Sequence, residues 1–215
     1  MNNHTQEIVF MTSRPIRQTT LQLALTGGLI APVLYFAIQL IAAPFYPGYN
    51  FLTNIASDLG ATTFRYGGVF NIGVLTVGGL LMLGSAGIGL ALRRMGTHPL
   101  LIAFALITVL GSSVAAIWAG LNPLPSPAHG GPPALSMLML LVPLALTAAL
   151  WQLPHARLWL MLGIVLILAL VPVMSGALQI DTRPYTGLLQ RVLALAVFGT
   201  IGGASWFLRR QVAAV

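Results

Sequence analysis

Three residues of this sequence combine the chemistry needed for proton transfer or for holding a hard cation: Asp58, His129 and Asp181. Asn54, Ser57 and Asn71 add hydrogen-bonding groups, and Arg183 and Arg191 add planar forks suited to phosphate or carboxylate. The catalytic candidates Asp58, His129 and Asp181 fall in three separate loops, so spacing alone does not bring them together. Ser57 next to Asp58 invites a nucleophile reading. Neighbouring helical residues do not face one another, however, and no Gly-x-Ser-x-Gly elbow is present. No metal site is expected, because His-x-Glu-x-x-His spacing is absent and a single His accompanies the two Asp. The residues identify no cofactor. Haem ligation would need His pairs at matching depth on facing helices, and a retinal Schiff base would need a Lys, which the chain lacks.

The elements that must position these residues are dictated by composition. The chain has 215 residues, 57% hydrophobic and 6% charged, with mean hydropathy +0.91. A water-facing surface needs about 25% charged residues, so lipid must be the solvent for most of this chain. Apolar windows long enough to cross a hydrocarbon core of about 30 Å occur at Leu21–Ala43, Val69–Leu92, Pro99–Ala119, Pro133–Leu150, Leu158–Gly176 and Leu188–Leu208. The expected fold is all-α, a polytopic bundle of six transmembrane helices. The net charge of +7 does not imply nucleic-acid binding, because each basic residue is an Arg beside an apolar run. With no Cys, disulfides and thiolate chemistry are excluded.

Residues 1–20 read as a cytoplasmic tail, 21–210 as a single transmembrane domain and 211–215 as a second cytoplasmic tail. Arg14, Arg17, Arg93, Arg94, Arg157, Arg209 and Arg210 fall on one side of the bilayer, against Arg65, Arg183 and Arg191 on the other. The positive-inside bias therefore predicts a multi-pass inner-membrane protein with both termini in the cytoplasm. Asp58, Asp181 and His129 are then all outside, while Glu7 is not.

The first outer loop predicts a short amphipathic helix. Asn50, Asn54, Ser57 and Asp58 share one face at about 100° per residue, and Gly60 ends the segment as a left-handed cap. The second span is rich in Gly, which lets neighbouring helices approach closely; Ser85 and Gly89 form one small-xxx-small pair. Arg191, in the first turn of the last span, is expected either to snorkel or to pair with Asp58 or Asp181.

Asn54-x-x-Ser57-Asp58-Leu59-Gly60-Ala61, Phe70-Asn71, His129 after a Pro-rich turn and Gly187-Leu188-Leu189-Gln190-Arg191 occur in this order on one side. Together they resemble a bacterial family of six-helix membrane proteins catalogued as domain of unknown function 998. The resemblance runs from Thr20 to Arg210 and implies a shared outward site, with no activity attached to it.

The residues support three classes of function. An outward polar pocket would bind, and by its acid–base groups process, an anionic lipid headgroup or small amphiphile, with membrane lipid as the partner. An Asp/Arg cluster that only clasps the outer loops would instead mark a structural or accessory subunit. A membrane-embedded hydrolase or a small-solute transporter is the third class, the latter disfavoured because mid-span polar residues such as Gln39, Ser112 and Thr147 are few and mild.

Overall fold

The computed structural model describes residues 18–213 and is helical, with no strand among the described residues. Its long helices are α1 (Gln18–Ala42), α2 (Gly67–Arg94), α3 (Pro99–Leu121), α4 (Pro133–Ala149), α5 (Pro154–Met174) and α6 (Thr186–Ala213). Short 3-10 turns occupy Ala43–Phe45, Ala56–Gly60 and Arg183–Tyr185. The predicted N-terminal tail and Glu7 lie outside the described residues but for its last three positions, which begin α1. At the other end α6 continues through Ala213, past the expected boundary at Arg210.

Proline sets several of the starts. It occupies an early position of α3, α4 and α5, where a missing N–H costs no helical hydrogen bond. Five of the six helices are long and apolar enough to cross a membrane. The sixth, α4, has 17 residues, about 26 Å at 1.5 Å per residue and at the lower limit for a span.

The helices pack in chain order around a ring closed by α1 against α6, with α6 also touching α2 and α4. Gln18 at the start of α1 donates from Nε2 to the Val212 carbonyl near the end of α6 (2.8 Å), so both helix termini share one end of the bundle. The loops carrying Asp58, His129 and Asp181 are at the opposite end.

The small residues of α2 serve two neighbours. A Cβ on Gly84 would lie 2.7 Å from the Gly28 nitrogen, and one on Gly87 2.7 Å from the Leu25 nitrogen, both on α1. On the other flank, a Cβ on Gly89 would lie 2.9 Å from the Leu106 side chain of α3. Close backbone approach suits helices in lipid, where association depends on van der Waals contact rather than on exclusion of water.

Candidate functional site

Arg191 organises the loop end. It lies in the second turn of α6 and reaches across to the α1–α2 loop. Nε donates to Gln39 Oε1 (2.9 Å), and Nη1 faces the carbonyls of Phe51 (2.8 Å), Asn54 (2.9 Å) and Gly187 (2.8 Å). Nη2 donates to the Tyr49 hydroxyl, which in turn donates to the Ile55 carbonyl (3.0 Å). The guanidinium also stacks over the Phe51 ring, 4.9 Å from its centroid. Burial pushes the Tyr49 hydroxyl above its ordinary pKa, outweighing the lowering effect of Arg191, so it remains a donor. Arg191 thus neither snorkels nor pairs with Asp58 or Asp181. Its Nε, Nη1 and Nη2 groups serve five neutral oxygens drawn from α1, the α1–α2 loop and α6.

The loop is not the single amphipathic helix expected. One turn closes when Asn54 N–H donates to the Asn50 carbonyl (2.8 Å), the chain extends at Ile55, and the 3-10 turn follows. Side chains from within the loop and from α6 capture the backbone groups a helix would use. Asn50 Oδ1 accepts from Leu52 N–H (2.9 Å), Asn54 Oδ1 from Asn50 N–H (3.0 Å) and Gln190 Oε1 from Ala56 N–H (2.6 Å). Gly60 is not left-handed either. Glycine is required there because a Cβ would strike Asn71 Oδ1 and come within 2.9 Å of the Phe70 ring.

Ser57 follows the break at Ile55, in the 3-10 turn Ala56–Gly60. Ser57 lines a cavity of about 310 Å³ together with Asn71, His129 and Gln190. Asn71 and Gln190 lie near the starts of α2 and α6, and His129 comes from the α3–α4 loop, which is tied to the α1–α2 loop by Thr62 N–H donating to the Leu124 carbonyl (2.8 Å). Further from the loops the lining turns apolar, through Tyr35, Val74, Leu193 and Phe198. No arginine among the described residues lines this cavity.

Hydrogen bonds assign the free ends of these polar groups. His129 Nδ1 is 2.7 Å from the Asn122 carbonyl, an acceptor only, so Nδ1 carries the proton and Nε2 the lone pair when the ring is neutral. Gln190 uses Oε1 on Ala56 N–H, and its NH₂ group has no partner among the described residues. Asn71 donates from Nδ2 to the Gly60 carbonyl (2.8 Å), leaving Oδ1. Ser57 Oγ has no hydrogen-bond partner among the described residues.

The remaining predicted residues stand elsewhere. Asn54 donates from Nδ2 to Asp58 Oδ2 (3.1 Å); this half-buried pair belongs to the loop framework and does not line the cavity. Asp181 and Arg183 form a two-pronged ion pair, Nε to Oδ1 at 2.9 Å and Nη2 to Oδ2 at 3.0 Å, exposed in their own turn. The Arg183 guanidinium holds the Asp181 carboxyl below its usual range, so the pair persists from neutral pH until the pH falls through that lowered value. Solvent exposure of both side chains screens it. Asp181→Asn is therefore expected to melt at the wild-type temperature and to leave the cavity's ligand binding unchanged, as thermal unfolding and a binding titration would register. Among the described residues no three His, Cys, Asp or Glu gather closely enough to hold a metal ion.

The groups that sequence reasoning undervalued are Gln39, Tyr49 and Gln190. Gln39 and Tyr49 are two of the oxygens that hold Arg191, and Gln190 orients the residue before Ser57. A glutamine within an apolar span was the available signal, since lipid offers it no partner.

Searches of curated proteins and of solved structures found no match. A family described as a protein of unknown function (DUF998) matches residues 29–206, nearly all of the helical bundle. With that extent of match, the chain belongs to the DUF998 family of membrane proteins.

Proposed function

We propose that the protein takes up a small amphiphile or lipid from the bilayer, its headgroup held in the polar layer of the cavity and its chain laid along the apolar lining. One observation carries this reading: a cavity of about 310 Å³ passes from Ser57, Asn71, His129 and Gln190 at the loop end to Tyr35, Val74, Leu193 and Phe198 within the bundle. Pockets of this size and mixed lining suit small ligands. The Arg distribution supports an outward-facing cavity in an inner membrane, with the chain drawn from the outer leaflet.

An anionic headgroup loses its rationale. Arg191 is committed to loop carbonyls and Arg183 to Asp181, so the preferred headgroup is neutral and rich in hydrogen-bonding oxygens, such as an ester or amide. A clasp also exists beside the cavity, supported by the Arg191 bonds; it supplies the rigidity the binding layer requires. Transport is disfavoured further because Thr108, Ser112 and Ser113 spend their hydroxyls on carbonyls of their own helix.

The test is mass spectrometry of lipid retained after extraction in mild detergent, compared with an Ala119→Phe variant that fills the cavity. The wild type is expected to retain a neutral amphiphile in stoichiometric amount, and the variant to lose most of it while keeping its melting temperature. Equal retention by both proteins would place the lipid outside the cavity and remove the proposal.

A further inference from the structure

We infer that the polar layer of the cavity is an acyl-transfer site, with Ser57 as nucleophile, His129 as general base and Gln190 as oxyanion donor, acting on a carboxylic ester with an aliphatic chain. This rests on the uptake of an amphiphile proposed above and names the chemistry of that same site.

Three side chains that line one cavity carry unspent hydrogen-bonding capacity. Ser57 carries a hydroxyl with no partner among the described residues; it shares the 3-10 turn Ala56–Gly60 with Asp58, whose Oδ2 accepts from Asn54 Nδ2 instead. His129 has its Nδ1–H fixed on the Asn122 carbonyl, an arrangement that leaves the lone pair of the neutral ring on Nε2 and fixes the ring, with a backbone carbonyl in the place of an orienting carboxylate. Gln190 is turned so that its NH₂ donates, because its oxygen accepts from Ala56 N–H at 2.6 Å. Ala56 directly precedes Ser57, so the bond that orients the donor also anchors the nucleophile's segment. Nucleophile, base and anion-stabilising donor thus come from three distant parts of the chain to one apolar-backed cavity, the combination ester cleavage needs.

The step balances without metal or redox partner. Ser57 Oγ attacks the acyl carbon while its proton passes to His129 Nε2, and the carbonyl oxygen, now anionic, is met by the Gln190 NH₂ group. The carbon–oxygen bond to the alcohol breaks, and His129 returns the proton to the leaving oxygen. Water entering from the loop side then attacks the acyl-Ser57 ester with His129 again as base, releasing the carboxylic acid and restoring Ser57. Asp58 has no part in this reaction, in contrast to the expectation that it would act with His129 and Asp181.

The experiment uses the full chain in lipid nanodiscs and two probes, a decyl fluorophosphonate and a fluorogenic decanoyl ester. Peptide mass spectrometry is expected to find the phosphonyl group on Ser57. Ser57→Ala abolishes both labelling and ester turnover, and His129→Gln, which can still donate to the Asn122 carbonyl, lowers the labelling rate at least about 100-fold. Gln190→Glu retains the acceptor for Ala56 N–H but removes the donor, and lowers ester turnover about 100-fold. Melting temperatures near wild type for all three variants separate chemistry from folding. Should Ser57 stay unlabelled while the wild type still retains a cavity lipid that Ala119→Phe loses, the acyl-transfer inference is overturned and the binding reading stands. Labelling that persists in His129→Gln at the wild-type rate would likewise overturn the assigned base.

Discussion

Arg191→Met should be among the most damaging single substitutions in the loop layer, costing about 3 kcal/mol or more of stability. Methionine fills similar space along the apolar stem but supplies no donor. The carbonyls of Phe51, Asn54 and Gly187, the Gln39 amide oxygen and the Tyr49 hydroxyl then lose a charged partner together. Each acceptor left unsatisfied away from water costs about 1–3 kcal/mol, and partial access to solvent at this end reduces the sum. Arg191→Lys should fall between the two proteins, because an ammonium keeps the charge but cannot span acceptors on two sides of a planar fork. Thermal unfolding of the three proteins in one detergent gives the ranking. A methionine variant that melts with the wild type would show that the loop holds its shape without Arg191.

The second large effect is expected inside the bundle and carries its own control. Gly84→Val places a branched side chain where a Cβ alone would lie 2.7 Å from the Gly28 nitrogen, so α1 and α2 must separate along their contact. Backbone does not yield as a flexible side chain does, and the overpacking should cost about 3 kcal/mol. Gly79 lies on the same helix, but a Cβ there meets nothing within 4 Å. Gly79→Val should therefore be nearly neutral. Unfolding in graded denaturing detergent would compare them, and equal losses at both positions would mean that helix propensity, not packing, sets the cost.

Much of the architecture is legible in the amino-acid sequence. The runs beginning near Leu21, Val69, Pro99, Pro133, Leu158 and Leu188 each became a helix, with ends displaced by a few residues. Membrane insertion depends on summed apolar character over a window, and that sum is a property of composition. The residues at the loop end were harder. Asp181 and Arg183 met each other because they are two positions apart, whereas Arg191 reached Phe51 and Asn54 across most of the chain. The predicted helix around Asn54 failed at Ile55 because Tyr49 and Gln190, invisible to a local periodicity, took its backbone groups.

Read alone, the amino-acid order determined that this is a six-helix membrane protein whose scarce polar groups collect between helix ends, since hydrocarbon tolerates so few of them elsewhere. Only the tertiary structure decided which of those groups meet: Ser57, Asn71, His129 and Gln190 in one cavity, Asp58 and Arg191 in the frame beside it, Asp181 apart. The reason is physical. Partition into lipid is additive along the chain, but a hydrogen bond is set by distances of a few tenths of an ångström between segments, and those follow from how the helices and loops pack.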